Sequence, residues 1–410
     1  MMKRLGLFLL LSASGSMTPA FGADWTQWRG SNRDLIVKEQ GLLASWPEGG
    51  PQQLWQVKLP GAGYSEPVIV KGVMYITGNE GQKGDLTGYL YALDLKTGAT
   101  LWKQPYGAEW DKSFESARTS PTVVGDKLYL VSGLGVVVCF DITLKKQVWS
   151  VDTFKEYGGR NITWGIAENP LVYEGKVICQ PGGPDASIVA LDAKTGKLVW
   201  KSTGLSERSA YCSPALLTID GKRQVVTMLE NNVVGVCAEK GTPLWKVGHR
   251  NQHAVHPNTP ILVGPNKIFV SSGYKYGSEM IEIKGSDATI VWKDKSSDNH
   301  FQGTAIYDGR IFSSGGGRLS CFDPKDGKEL CSVGEARKVT FCITPAGLIA
   351  YDENSGKVML ISIKSCPCKV ISSFSIKYGE KQHWSSPVVA DGVLYLRRGT
   401  GVAAFDIRAK

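Results

Sequence analysis

Charge is scarce in this chain: Asp, Glu, Lys and Arg make up 21% of its 410 residues, and histidine appears five times. So low a charge content disfavours long, charged helices. No stretch approaches the ~20 continuous apolar residues of a membrane-spanning helix. The Lys/Arg excess behind a formal charge of +9 is scattered, without the basic run of a nucleic-acid arm, so nucleic acid is not an expected partner. No Ser/His/Asp order, metal-spaced histidine pair or phosphate loop is discernible, and a hydrolase reading has nothing positive behind it. Nine cysteines, an odd number at irregular spacing, argue against a full disulfide framework.

What the chain has in quantity is glycine (48), tyrosine (15) and tryptophan (12), a composition that favours many short strands joined by tight turns. At its start, Lys3 and Arg4 precede an apolar run from Leu5 to Leu11 and the small-residue stretch Ala20-Phe21-Gly22-Ala23. That order predicts a secretory leader over 1–22, cleaved after Gly22. The mature chain is expected to be soluble, periplasmic or secreted, and, with no cysteine near the cleavage point, without a lipid anchor.

The phrase Tyr91-Ala92-Leu93-Asp94-Leu95-Lys96-Thr97-Gly98-Ala99-Thr100-Leu101-Trp102 returns as Val189-Ala190-Leu191-Asp192-Ala193-Lys194-Thr195-Gly196-Lys197-Leu198-Val199-Trp200. Weaker copies end at Trp149, Trp245, Trp292 and, with the indole lost, at Cys331. A period of roughly 40–50 residues marks a propeller or a solenoid. The phrase itself decides between them, because alternating residues, a Lys-Thr-Gly turn and a second run to Trp form a β-hairpin, not a helical stripe. Another hairpin precedes each one, as in Ser65–Ile76 and Ser120–Tyr129, and two hairpins per period make a four-stranded blade.

First hairpins begin near Tyr64, Arg118, Trp164, Tyr211, His256, His300, Val339 and Trp384. The expected fold class is therefore all-β, an eight-bladed β-propeller of four-stranded antiparallel blades over 54–410, preceded by an N-terminal segment over 23–53. The last blade, ending at Gly401–Asp406, is one strand short. The strand Leu54–Leu59 is its expected donor, closing the ring and removing exposed edges. Cys139 and Cys321 align with Ala92, Ala190, Gly235 and Ala404, where a small residue is needed. Cys366-Pro367-Cys368 stands apart, as a place for metal or for disulfides with other cysteines; no second pair at zinc spacing supports metal.

The motif Ala-Leu-Asp-x-Lys-Thr-Gly-x-x-x-Trp resembles the pyrroloquinoline quinone (PQQ) propeller repeat of the quinoprotein-dehydrogenase-like, BamB-like superfamily, over essentially the whole mature chain. The opening Trp25-Thr26-Gln27-Trp28-Arg29-Gly30 and Trp46-Pro47-Glu48-Gly49-Gly50-Pro51 is similar to the start of small exported members. The resemblance implies that Trp55, Trp102, Trp149, Trp200, Trp245 and Trp292 dock between adjacent blades. Enzymes of the family hold PQQ under a ring of adjacent cysteines and use an Asp base beside calcium bound by Glu and Asn. This sequence has no Cys-Cys pair and no match to that constellation. Asp94, Asp141, Asp192, Asp323 and Asp406 recur at the hairpin turn, which fits turn capping.

The expectation is a monomeric, non-catalytic binding or scaffold module for envelope proteins or extracellular polymers, with no catalytic residue, metal or cofactor. The alternatives are a quinoprotein oxidoreductase that binds PQQ with calcium and oxidises an alcohol or sugar, and a carbohydrate-binding propeller. Segments entering the innermost strands face the central channel. That places Tyr64, Arg118, Trp164, Tyr211, His256, His300 and Trp384 at its mouth, with Arg160 and Asn161 added by the loop Gly158–Gly165. Such residues suit a planar anionic or sugar-like ligand, or else simply plug the channel.

Overall fold

Alternating apolar residues and glycine-bearing turns fold this chain into short antiparallel strands whose inward faces bury Val, Ile and Leu. A computed structural model describes residues 24–300 and 303–409; the expected leader lies outside the described residues. Thr122–Val124, Lys127–Val131, Val136–Asp141 and Lys146–Asp152 form one four-stranded sheet in sequence order. The same meander recurs over 171–201, 215–248, 261–294, 304–333 and 339–375. The architecture is all-β, with the sheets in a propeller-like arrangement.

A further, seven-stranded sheet joins the two ends of the chain. Gln52–Gly63 pairs with Val393–Asp406, matching Trp55 to Ala404 and Val57 to Val402, as the unpaired Leu54–Leu59 run leads one to expect. At its far end Ala62 meets Asn79 of the strand Val73–Gln82. One five-residue helix, Thr153–Tyr157, is capped by Asp152. Among the described residues no helix is long and apolar enough to cross a membrane.

The repeat motif has a local mechanism. Asp94 accepts from the backbone N of Lys96 and Thr97 and from the Thr97 hydroxyl, and Asp192 repeats the arrangement with Lys194 and Thr195. Asp141, Asp323 and Asp406 likewise accept from Leu144, Lys325 and Arg408. These aspartates fix turns. A β-bulge follows the residue paired with each docking position, as at Ala92/Leu93, Cys139/Phe140 and Ala190/Leu191, and the extra residue re-aims the outer strand.

Four indoles dock on the turn of the following sheet. Trp55, Trp149, Trp200 and Trp292 donate Nε1 to the carbonyls of Leu95, Ala193, Ala238 and Pro324, at 3.0–3.2 Å. Each lies against a turn glycine, Gly98, Gly196, Gly241 or Gly327, where a Cβ would collide with the ring. Trp102 packs with Val123, Leu128 and Ile142 of the next sheet. Trp245 sits in the same kind of interface, but its Nε1 donates to Gln224 of its own sheet at 2.7 Å. Its neighbour turns tightly between Lys284 and Asp287, so no longer Lys-Thr-Gly-type turn meets it. Where the indole is lost, Cys331 forms a disulfide with Cys366 in the equivalent turn of the next sheet, and a covalent link stands in for docking.

Residues 24–37 lie across the inner strands. Trp25 bridges Ile69, Ile36 bridges Ile343, Arg29 Nη2 donates to Thr304 O at 2.7 Å and Arg33 Nη1 to Pro170 O at 3.1 Å. Four inner strands or strand entries far apart in sequence thus share one strap, with Trp28, Arg29 and Leu35 fully buried.

Candidate functional site

Opposite the strap, the segments entering the inner strands enclose a cup of about 380 Å³. Its floor is polar because the residue before four of the strand-leading prolines turns inward: Glu66, Ser120, Asn169 and Ser386. These residues hydrogen-bond from sheet to sheet. Glu66 N donates to Ser120 Oγ at 2.8 Å, Ser120 N to Asn169 Oδ1 at 2.5 Å and Asn169 N to Ser213 Oγ at 2.9 Å. Thr259 Oγ1 donates to Ser213 O at 2.8 Å, extending the ring. Such cross-sheet bonds hold the floor rigid.

The wall is aromatic. Tyr64 and Trp384 pack at 4.6 Å, with Phe114 5.5 Å from Trp384; Trp164 and Tyr211 lie 6.0 Å apart, and Tyr274 and His300 4.5 Å. Tyr211 holds φ +72 and Tyr274 φ +59, a region that costs bulky residues energy and that surrounding contacts must enforce. Trp164 N donates to the Tyr211 hydroxyl at 3.1 Å, which is one such contact. Burial pushes both Tyr64 and Tyr211 up to about 12, so both phenols stay protonated as donors at neutral pH.

Besides the exposed Lys338 at the lining, the cation within this wall is the half-buried Arg118. Its Nη2 donates to Phe114 O at 2.5 Å and Ser113 O at 3.3 Å, while its buried Nε has no partner among the described residues. Burial holds its pKa below the usual arginine value, and a guanidinium remains charged there. Glu66 Oε1 accepts from Trp25 Nε1 at 2.6 Å and Arg29 N at 2.8 Å. Burial pushes Glu66 up to about 7. Glu353 accepts from Trp384 Nε1 at 2.7 Å, and His300 Nε2 lies 3.2 Å from Asp298.

Six of the sequence-predicted residues meet in this cup: Tyr64, Arg118, Trp164, Tyr211, His300 and Trp384. His256 does not. Val255 and Pro257 line the cup, and in an extended stretch the residue between them points the other way. It is fully buried, with Nδ1 3.1 Å from Ser272 Oγ and Nε2 3.4 Å from Glu230 O. Arg160 and Asn161 also lie outside: Arg160 is exposed, and Asn161 Nδ2 donates to Gly133 O at 2.9 Å, which turns the loop onto its own sheet. The sequence reading missed Glu66, Asn169, Phe114, Tyr274 and Glu353. The recurring polar-residue-before-proline pattern at Glu66, Ser120, Asn169 and Ser386 carried the signal for the floor.

The cup does not fit PQQ with calcium. Calcium takes six to eight oxygens, roughly, whereas the lining carboxylates are Glu66 and Glu353, each with one oxygen already bonded, and Asn169 Oδ1 serves Ser120. Among the described residues no cysteine lines the cup to form the ring that covers the quinone.

A family model described as outer membrane protein assembly factor BamB matches residues 86–330 and 230–410. Quinoprotein alcohol dehydrogenase PedH of Pseudomonas putida is 26% identical over 310 residues, covering 71% of this chain and 46% of that protein. Outer membrane protein assembly factor BamB of Burkholderia pseudomallei is 25% identical over 234 residues, covering 46% of this chain and 57% of that one. The chain thus spans about half the length of these relatives. Among solved structures, BamB from Moraxella catarrhalis aligns with TM-score 0.59 at 13% identity over 87% of this chain and 99% of that one. Quinohemoprotein alcohol dehydrogenase from Comamonas testosteroni gives TM-score 0.67 at 13% identity over 94% and 81%. At that identity the likeness is one of fold.

Proposed function

The chain belongs to the family described as outer membrane protein assembly factor BamB, and from that premise we propose an exported, non-catalytic binding module that recognises a planar anionic group on an envelope partner. The proposed ring has eight blades, a reading supported by the single Ala62–Asn79 pairing that joins the two halves of the seven-stranded sheet and by the pairing of Gln52–Gly63 with Val393–Asp406. The predicted leader over 1–22 directs the chain to the periplasm or outside the cell, where it works as a monomer.

One observation carries this reading: an aromatic cup built around the half-buried Arg118 guanidinium. Aromatic faces favour a flat group by stacking, and a guanidinium with spare donors favours a carboxylate or similar anion. The strap closes the far side, so a ligand enters and leaves by the same mouth. That suits recognition of a protruding group better than passage through a channel.

Catalysis is the part of this reading most directly tested by supplying the missing chemistry. Purified mature protein is incubated with PQQ, calcium, an artificial electron acceptor and a panel of primary alcohols and sugars. The expected result is no acceptor reduction above the protein-free rate. Turnover that disappears in Arg118→Ala would make the chain an oxidoreductase and overturn the proposal.

A further inference from the structure

Three sulfurs converge where Cys331 replaces a docking indole. Cys331 and Cys366 are disulfide-bonded, with Cα atoms 5.7 Å apart. Cys368 Sγ lies 3.4 Å from Cys331 Sγ and carries no disulfide of its own. Cys366 is exposed at the tip of the turn, whereas Cys368 is buried beneath it. A fourth sulfur, that of Cys321, lies within 4.8 Å of those of Cys331 and Cys366. Cys321 is the cross-strand partner of Cys331, so one cysteine pair faces another across the interface between two sheets.

We propose that Cys331, Cys366 and Cys368 form a thiol–disulfide exchange site that presents Cys366 as a modifiable surface thiol. The Cys368 thiolate attacks Cys331 Sγ; the Cys331–Cys368 bond forms, the Cys331–Cys366 bond breaks, and the electron pair leaves on Cys366. The proton lost from Cys368 is balanced by one gained at Cys366 from solvent, and no oxidant or reductant is consumed. Exchange of this kind needs a thiol in contact with one sulfur of a disulfide, and 3.4 Å is such a contact. Both linkages tie the same two sheets, so the interface stays stapled while the exposed thiol appears and disappears.

The freed Cys366 thiolate then has a defined substrate class, low-molecular-weight disulfides. It attacks RS–SR, forming Cys366–SR and releasing RS⁻, so the external disulfide supplies the oxidising equivalent. Arg310 stands beside this cluster, its Nη2 donating to Ile363 O at 2.7 Å; burial pushes the Cys321 and Cys368 thiols up, and the Arg310 charge offsets part of that rise. The buried Cys368 is the internal nucleophile and the exposed Cys366 the point of attachment.

The test uses the full mature chain, never reduced, labelled with N-ethylmaleimide under native conditions, quenched in acid and digested. Fragmentation between Cys366 and Cys368 assigns each linkage. The expected wild-type result is both linkages, with maleimide on Cys366 in the molecules that carry Cys331–Cys368. Cys368→Ser should leave only Cys331–Cys366 and cut Cys366 labelling by about tenfold or more, and Cys366→Ser should shift the bond to Cys331–Cys368. Incubation with oxidised glutathione should add one glutathionyl group at Cys366 in the wild type and none in Cys368→Ser. Cys366 labelling that is absent in the wild type, or unchanged in Cys368→Ser, overturns the proposal. So does a protein purified with all these thiols reduced around a bound metal ion.

Discussion

Trp200→Ala is expected to lower the unfolding free energy by about 3–5 kcal/mol, the range for truncating a large buried aromatic. Trp200 is among the most buried of the docking indoles; it lies on Gly241 and donates Nε1 to Ala238 O at 3.2 Å. Removing it opens a cavity between two sheets and strands a carbonyl. Gly241→Ala attacks the same contact from the other side, since φ is +71 there and a Cβ would drive into the indole. Because both changes break one interface, the double variant should be less destabilised than the sum of the singles, by about 1 kcal/mol or more. Guanidinium unfolding of the four proteins measures this, and strict additivity would mean that the indole and the glycine do not act together.

A second large effect is expected on acidification. Burial lowers the pKa of His256 from 6.5 to about 3 and that of His383 to about 4. The unfolded chain therefore binds these protons first, and the stability the neutral rings contribute is full above pH 6.5 and lost between there and pH 3. Glu66 and Glu168 act in the opposite sense: burial raises both from 4.5 to about 7, so their contribution is present below pH 4.5 and lost as pH rises through 7. The two pairs oppose one another between pH 6.5 and 4.5, which flattens the profile.

Below pH 4.5 the opposition from Glu66 and Glu168 is spent, and the histidines are joined by carboxylates held below their usual range: Glu279, against burial, by His249 and Lys293, and the turn aspartates Asp94, Asp141 and Asp192 by their turn hydrogen bonds. Stability should therefore fall steeply from pH 4.5 to 3. The His256 share is on the order of 5 kcal/mol over its whole window, at about 1.4 kcal/mol per pH unit. His256→Gln should make the decline shallower. Denaturant midpoints from pH 7 to 3.5 check this, and an unchanged slope in His256→Gln would place the acid sensitivity elsewhere.

Repetition made the fold legible. The Ala-Leu-Asp-Lys-Thr-Gly-Trp phrase specifies a bulged hairpin, a capped turn and a docking indole at once, and even the closing partner of Gly401–Asp406 could be found as the strand Leu54–Leu59 left over at the other end. Features outside the repeat were harder to read. The strap over residues 24–37 depends on Arg29 and Arg33 reaching carbonyls more than a hundred residues away, for which no local pattern exists. The Cys331–Cys366 pairing needs the sheet-to-sheet register, because the same spacing serves a tryptophan elsewhere. In the cup, counting back from each inner strand located six wall residues. It failed at His256, where a shift of one residue in an extended segment reverses the side chain.

The cup is expected to bind a flat anion through Arg118. Titration of the mature protein with naphthalene-2-carboxylate, followed by tryptophan fluorescence and calorimetry, tests this, with the neutral 2-naphthamide as control. The expected result is one saturable site, with the carboxylate bound at least about tenfold more tightly than the amide, a difference of about 1.4 kcal/mol. That preference should vanish in Arg118→Met while thermal stability is kept. Equal binding of acid and amide, or a preference that survives Arg118→Met, would contradict the assignment of the cup as an anion-recognition site.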